Sequence, residues 1–242
     1  MPLEILPSID LRDGKVIRLK QGDYAQQINY AVDPFETAAR FAQAGARWMH
    51  VVDLDGAKEG RPVQTELLSR LIRASGLKVE VGGGVRSEQD VATLLAAGAE
   101  RVVVGTKAIE DWAWFESMVA KPEFANRLVL AIDAKEGMVA TRGWTHTSAL
   151  SAVDVARRVN GWPVGALLYT DVAKDGMLTG PNFDHTAALA RAGDVPVIAS
   201  GGVGTIDHVK KLTLIGVWGA IIGRSLYEGT VDLKDAIAIA HS

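Results

Sequence analysis

The sequence contains no cysteine. That excludes a disulfide framework, a thiol nucleophile and any Cys-based zinc site. No stretch approaches the roughly 18–20 apolar residues of a membrane span. The opening Met1-Pro2-Leu3-Glu4 lacks the basic region and apolar run of a signal peptide. Positive charge is not in excess either. Twenty-six basic residues stand against 29 acidic ones, for a formal net charge of −3, which gives no sign of a nucleic-acid-coating surface. The five histidines (His50, His146, His185, His208, His241) show no metal-ligand spacing such as His-x-x-x-His, so no metal site is expected. No low-complexity segment or Pro/Gly/Ser linker interrupts the chain. A cytoplasmic globular protein is expected, binding neither membrane nor nucleic acid, and 242 residues suffice for a large core without staples. Glycine, by contrast, is plentiful: 25 residues, about a tenth of the chain against a usual ~7 %.

Two textures alternate along the chain. Short runs rich in Val and Ile recur at Ile5–Ile9, Trp48–Val52, Leu77–Val81, Arg101–Val104, Arg127–Ile132, Val164–Tyr169, Val195–Ala199 and Trp218–Ile222. Between them lie stretches with helical spacing. One opens at Pro34 behind Asp33 as N-cap and stops at Gly45; others begin near Ser87 (with Asp90 three residues on), Ser151 and Thr205. Near-continuous apolar strands separated by helices mark a parallel sheet covered on its outer face. Eight such units in this length match an α/β fold of the closed (β/α)₈ TIM-barrel type. The rival, an open doubly wound sheet, usually carries Gly-x-Gly-x-x-Gly after its first strand. Here that strand ends in Ser8-Ile9-Asp10.

The chain also repeats itself. Ile9-Asp10-x-x-x-Gly14-x-Val16 returns as Ile132-Asp133-x-x-x-Gly137-x-Val139, and Ala57-Lys58-Glu59-Gly60 as Ala173-Lys174-Asp175-Gly176. Gly83-Gly84-Val85-x-Ser87 returns as Gly201-Gly202-Val203-x-Thr205, and Gly105 as Gly223. Four matches in order at nearly constant offset read as two half-barrels, about 1–120 and 124–242, fused into one domain over 1–242.

The repeat locates the chemistry. Active sites of parallel barrels gather at the C-terminal ends of the strands. Asp10 and Asp133 end the first and fifth apolar runs, which such a repeat places across the mouth from each other. Two carboxylates facing one cavity can divide general-acid and general-base work. The glycines repeat likewise. Gly83 and Gly84 follow the third strand, and Gly201 and Gly202 the seventh. Gly105-Thr106 follows the fourth strand, and Gly223-Arg224-Ser225 the eighth. Backbone N–H groups there can approach an anion, with hydroxyls of Thr106 and Ser225 adding hydrogen bonds. Gly176, in the loop after the sixth strand, joins this set. Two opposed phosphate cradles imply an elongated ligand with a phosphate at each end and its reactive centre between the aspartates.

These residues resemble a known family. Leu6-Pro7-Ser8-Ile9-Asp10-Leu11-x-x-Gly14-Lys15-Val16-x-Arg18-Leu19 is similar to the start of the HisA isomerases of histidine biosynthesis. So are His50-Val51-Val52-Asp53-Leu54-Asp55-Gly56-Ala57, Gly82-Gly83-Gly84-Val85-Arg86, Thr170-Asp171-x-x-Lys174-Asp175-Gly176 and Ser200-Gly201-Gly202-Val203. The resemblance implies a two-half (β/α)₈ barrel that converts the aminoaldose ProFAR, a bisphosphorylated ribonucleotide, into its aminoketose PRFAR by an Amadori rearrangement. No cofactor is implied. It makes Asp10 the base, Asp133 the acid and Thr170 a hydroxyl at the catalytic centre. Burial or a nearby carboxylate should raise the pKa of such an acid.

Further contacts come from the same resemblance. Trp144 can stack on the substrate's imidazole. Arg142 is the residue type of the bifunctional PriA isomerases, which also take phosphoribosylanthranilate, whose carboxylate an Arg would meet. Gly82 and the Ala57–Gly60 stretch depart from that bifunctional pattern, so the single activity is preferred. Asp175 resembles an alternative acid of bifunctional relatives, or is simply a turn residue before Gly176. The related cyclase HisF carries a Lys where this chain has Arg18, and a permanently charged Arg suits substrate contact or a strand-end ion pair rather than acid–base work. A non-catalytic bisphosphate-sensing barrel would keep the cradles and lose an aspartate, yet both aspartates are present. His50 reads as a core residue, His146 as a possible ligand contact, and Trp112 and Trp114 as packing. Lys58-Glu59-Gly60-Arg61 reads as a loop able to close over substrate. A monomer is expected, since a closed barrel leaves no sheet edge.

Overall fold

The computed structural model describes residues 2–20, 23–141, 143–144 and 146–242. In chain order, β1 (Glu4–Arg12) leads into β2 (Lys15–Lys20), β3 (Asp23–Asn29) and α1 (Pro34–Gln43). Next come β4 (Trp48–Asp53), α2 (Leu54–Glu59) and α3 (Thr65–Ser75), then β5 (Lys78–Gly82) and α4 (Glu88–Ala96), then β6 (Arg101–Val104), α5 (Thr106–Glu110) and α6 (Trp112–Val119). The order then repeats. First come β7 (Leu128–Lys135), β8 (Met138–Thr141), β9 (His146–Ser151) and α7 (Ala152–Arg158). After them lie β10 (Ala166–Asp171), α8 (Phe183–Ala190), β11 (Val197–Ser200) and α9 (Ile206–Thr213), and finally β12 (Gly219–Ile222), α10 (Arg224–Tyr227) and α11 (Leu233–Ala240).

The parallel strands β1, β4, β5, β6, β7, β10, β11 and β12 hydrogen-bond in that order, and β12 pairs back onto β1 through Glu4↔Gly219 to Pro7↔Ile222. The sheet is therefore a closed (β/α)₈ barrel, not an open doubly wound one. Local chemistry starts the helices where the sequence marks them. Asp33 accepts from the N–H groups of Phe35 and Glu36, Ser87 and Asp90 form a reciprocal capping box, and Ser151 and Thr205 cap α7 and α9. The indoles read as packing do pack: Trp112 meets Trp162 edge-on at 6.4 Å, and Lys107 lies over Trp114.

Each half opens with a hairpin that the apolar pattern does not display. β2 pairs antiparallel with β1, and β8 with β7. The two-residue turns are Asp13-Gly14 (φ 49° and 72°) and Glu136-Gly137 (φ 53° and 79°), and turns with two positive φ angles match the twist of a hairpin. This explains the Asp-x-x-x-Gly repeat: the glycine is the turn that folds each hairpin back onto its aspartate. Two expectations need correction here. Asp10 and Asp133 lie within their strands rather than at the ends, because the hairpins extend pairing to Arg12 and Lys135. Sheet edges also remain, at β3 and β9, although every barrel strand is paired on both sides.

The core has two main parts, beside a small cluster of Ile17, Leu19 and Leu54 from β2 and α2. The larger fills the space between barrel and helices, including Leu68, Leu71, Val91, Phe115 and Leu212. The smaller lies inside the barrel: Leu6, Trp48, Val103, Val129, Ala166, Leu168, Ile198 and Ile221. Trp48 meets Trp218 edge-on at 5.5 Å, and the Arg101 guanidinium lies over both rings. Among the described residues no helix is long and apolar enough to cross a membrane.

Candidate active site

Above the inner core a cavity of about 770 Å³ opens at the C-terminal ends of the barrel strands. Strand alternation builds its walls. On β1 the inward series Leu6, Ser8, Asp10 passes from core to cavity; on β7 Val129, Ala131, Asp133 does the same. β1 and β7 are four places apart in the eight-stranded ring, so the two carboxylates come from opposite walls.

Their surroundings differ. Asp10 accepts a hydrogen bond from Arg18 Nη1 at 2.9 Å through Oδ2. The other arm of Arg18 is ion-paired with Asp175, so one guanidinium bridges two carboxylates. Burial opposes the charge on Arg18, but Asp175 and Asp10 outweigh it and hold the guanidinium more firmly protonated. Among the described residues Asp133 has no such cation. Burial pushes its carboxyl up, and the charge of Asp175 adds to this, while hydrogen bonds from Trp144 and Thr170 pull the other way. Thr170 sits directly beside Asp133 in the β7–β10 register. Asp175 is also pushed up by burial, against the opposing pull of Arg18.

Asp10, Asp133, Thr170, Arg18, Trp144 and Asp175 thus share one cavity, with Gly83, Gly84, Gly105, Thr106, Gly176, Gly201, Gly202, Gly223 and Arg224 around it. Arg142 lies outside the described residues. Ser225 is not brought in: it is fully buried, and its hydroxyl has no partner among the described residues. The repeat pairs Gly105 with Gly223, so Thr106 is matched by Arg224; Ser225 is one position further round the first turn, facing inward. Arg224 itself donates to the Gly176 carbonyl and pairs with Glu228, both at 2.5 Å, which ties the loop after the sixth barrel strand to that after the eighth.

The duplicated glycines also have a packing reason. A Cβ on Gly83 (φ +117°) would lie 2.1 Å from the Asp53 carbonyl oxygen, and one on Gly202 (φ +86°) 2.5 Å from that of Gly180. In both halves the loop after the third strand of the half rests on the loop before it. Gly83→Ala should therefore cost on the order of 3 kcal/mol. A thermal or urea midpoint equal to that of the parent would refute this.

Asp53 and Asp171 form a second duplicated pair, 118 positions apart, that the strand-end reading passed over. Asp53 accepts from the N–H groups of Gly56, Val63 and Gln64, and Asp171 from Ala173 N–H and Asn182 Nδ2. Each knits its loop together from a buried position. Ser8, His50 and Ser200 also line the cavity. Counting back in twos from the inward-facing Asp10 would have found Ser8. His146 lies instead by a separate hollow with Glu110 and Ser148. Lys58 and Glu59 are the last turn of α2, capped by Gly60 at φ 76°, rather than a loop. Among the described residues no group of three or more His, Asp or Glu is gathered as for a metal ion.

The profile of the family described as histidine biosynthesis protein matches residues 4–232 of this chain. A protein of Chloroflexus aggregans is 44 % identical over 240 residues, 99 % of either chain. One of Rhodopirellula baltica is 45 % identical over 241 residues, covering 98 % of this chain and 94 % of its own. One of Sorangium cellulosum is 47 % identical over 242 residues, 98 % of this chain and 99 % of its own. All three are named 1-(5-phosphoribosyl)-5-((5-phosphoribosylamino)methylideneamino)imidazole-4-carboxamide isomerase.

Proposed function

The chain belongs to the histidine biosynthesis protein family, and from that premise we propose how its cavity carries out the aminoaldose-to-aminoketose isomerisation named for its relatives. The substrate is ProFAR and the product PRFAR. The observation that carries the assignment of roles is the opposed carboxylate pair, with Asp133 pushed up by burial and Asp10 engaged by Arg18.

Asp133 acts as the general acid. Its proton goes to the ribose ring oxygen as the bond from that oxygen to C1 breaks, leaving a protonated Schiff base. A carboxyl pushed above its ordinary range is suited to hold that proton near neutrality. The indole of Trp144 and the hydroxyl of Thr170 orient it. From the opposite wall Asp10 takes the proton from C2, whose electron pair becomes the C1–C2 double bond of an enolamine. Loss of the enol proton and protonation of C1 then give the ketone. Each of these steps moves a proton, and the first also breaks the bond between C1 and the ring oxygen.

The loops after the third, fourth, sixth, seventh and eighth barrel strands receive the two phosphates, through Gly83, Gly84, Gly105 and Thr106 on one side and Gly176, Gly201, Gly202, Gly223 and Arg224 on the other. Their placement around one cavity supports this. Trp144 stacks on the substrate's imidazole, and Arg142 and Arg18 are further substrate contacts. Asp175 keeps Arg18 oriented. Residues 1–242 form one domain, since β12–β1 and β6–β7 pairing joins the halves at both seams. The barrel strands, each paired on both sides, support a monomer, with the free edges confined to β3 and β9 outside the barrel. A doubly phosphorylated substrate does not cross a lipid bilayer unaided, which supports a cytoplasmic site of action.

The test is a spectrophotometric assay of the purified chain on ProFAR, with phosphoribosylanthranilate in parallel. Turnover of ProFAR alone is expected. No turnover of ProFAR overturns the reading, and turnover of phosphoribosylanthranilate as well, lost in Arg142→Ala, replaces it with a bifunctional one.

A further inference from the structure

A polar row crosses the barrel interior just beneath the catalytic carboxylates, in one half only. Ser8 on β1 lies opposite His50 on β4, His50 opposite Glu80 on β5, and Glu80 opposite Arg101 on β6. In the other half the equivalent row is Ala131, Leu168, Ile198 and Gly219 on β7, β10, β11 and β12, paired in the same order. The same architecture thus accepts an apolar row, so barrel closure does not require the charged one. Buried charges of this kind cost stability unless paired and hydrogen-bonded.

The protonation pattern of the row follows from its charges. Glu80 has no exposed surface. Its Oε1 lies 2.7 Å from His50 Nδ1, and its Oε2 has no partner among the described residues. Arg101 brings one positive charge to the same interior. An ionised Glu80 cancels that charge, and the row is then neutral only if His50 is neutral. An ionised carboxylate can only accept, so a neutral His50 facing it would carry its proton on Nδ1 and leave Nε2 bare. His50 lines the cavity, and no bond to its Nε2 is formed among the described residues. It lies one inward layer below Asp10, in register with Ser8.

We propose that Glu80 is a positioning residue: it fixes His50 in the Nδ1–H tautomer, so that bare Nε2 accepts a hydrogen bond from a sugar hydroxyl of the substrate beside Asp10. This rests on the isomerase reading above. It also supplies what two similar phosphate cradles lack. Two phosphates are chemically alike, so the cradles alone cannot tell one end of the substrate from the other. A hydrogen-bond acceptor in one half only distinguishes the end that carries the opening sugar.

The test has two arms. In the ¹⁵N spectrum of the full-length, unliganded chain near neutral pH, His50 is expected to carry its proton on Nδ1. In steady-state turnover of ProFAR, Glu80→Ile and His50→Leu, which copy the opposite row, are each expected to lower kcat/KM about tenfold, the loss of one hydrogen bond. Glu80→Gln, whose amide oxygen still accepts from Nδ1–H, should restore most of that loss. A proton on Nε2 of His50, or unchanged kcat/KM in either apolar variant, overturns the proposal. If Glu80→Ile does not fold, His50→Leu and the spectrum decide it. If the parent chain does not turn over ProFAR, the isomerase reading fails with it, while the spectrum still tests the tautomer.

Discussion

Asp10→Asn is expected to lower kcat on ProFAR by about 10²–10⁴-fold, the range for losing a general base, with KM changed only a few-fold. The amide has nearly the shape of the carboxylate, and its oxygen can still accept from Arg18 Nη1. Arg18 also keeps its ion pair with Asp175, so no buried cation is left unpaired. What disappears is the ability to take a proton from C2. Substrate binding, carried by the loops that hold the phosphates, should survive. A variant with normal kcat would remove Asp10 from the mechanism. A large rise in KM at unchanged kcat would make it a binding residue.

Asp133→Asn should move activity and stability in opposite directions. Activity falls by about 10²–10⁴-fold, because an amide cannot donate the proton that opens the ring. Stability rises above the ordinary carboxylate range, and the sign follows from the direction of the shift. The folded-state pKa of Asp133 is raised by burial, so the folded protein binds this proton more tightly than the unfolded chain does. Its contribution is fully favourable below the unfolded pKa. It is lost as pH rises through the folded value, where a charge must be buried. Asparagine never acquires that charge, and its oxygen can still accept from Trp144 and Thr170. The thermal midpoints of parent and variant should therefore nearly coincide near pH 4, close to the ordinary carboxylate pKa, and diverge at pH 8 with the variant higher. A parent that is the more stable at pH 8 contradicts the assignment. The same shift sets the alkaline limb of the parent's kcat, which falls as Asp133 loses its proton.

Most of the barrel was legible because its signals are local. The Val/Ile runs fall on the eight barrel strands to within two or three residues, and Ser87 with Asp90 announces α4 by a contact spanning three residues. The hairpins were not, for two reasons. Gln26 and Gln27 give β3 no apolar alternation, and the spacing of Gly14 and Gly137 alone does not distinguish a hairpin turn from a loop. The short helices α2, α5 and α10 are too brief to show a helical period. The aspartate pair was legible through duplication. His50 was not, since its neighbours Met49 and Val51 are fully buried and nothing local distinguishes the face turned to the cavity. Only the ring of registers does that. Likewise the positive φ and close approaches of Gly83 and Gly202 belong to contacts between separate loops, which spacing along the chain does not encode.

The hairpins leave each of the two opposed carboxylates on a strand flanked from both sides. Asp10 pairs in register with Val52 on β4 and Ile17 on β2, and Asp133 with Thr170 on β10 and Ala140 on β8. Most barrel enzymes place their catalytic groups where a strand gives way to loop; here both carboxylates hang from strands hydrogen-bonded on either side, and the proposed phosphate contacts come from the loops. Precision and adaptability are thereby assigned to different segments. Changes in loop length or sequence can alter which molecules are admitted while the distance across which protons are exchanged stays set by the girth of the barrel.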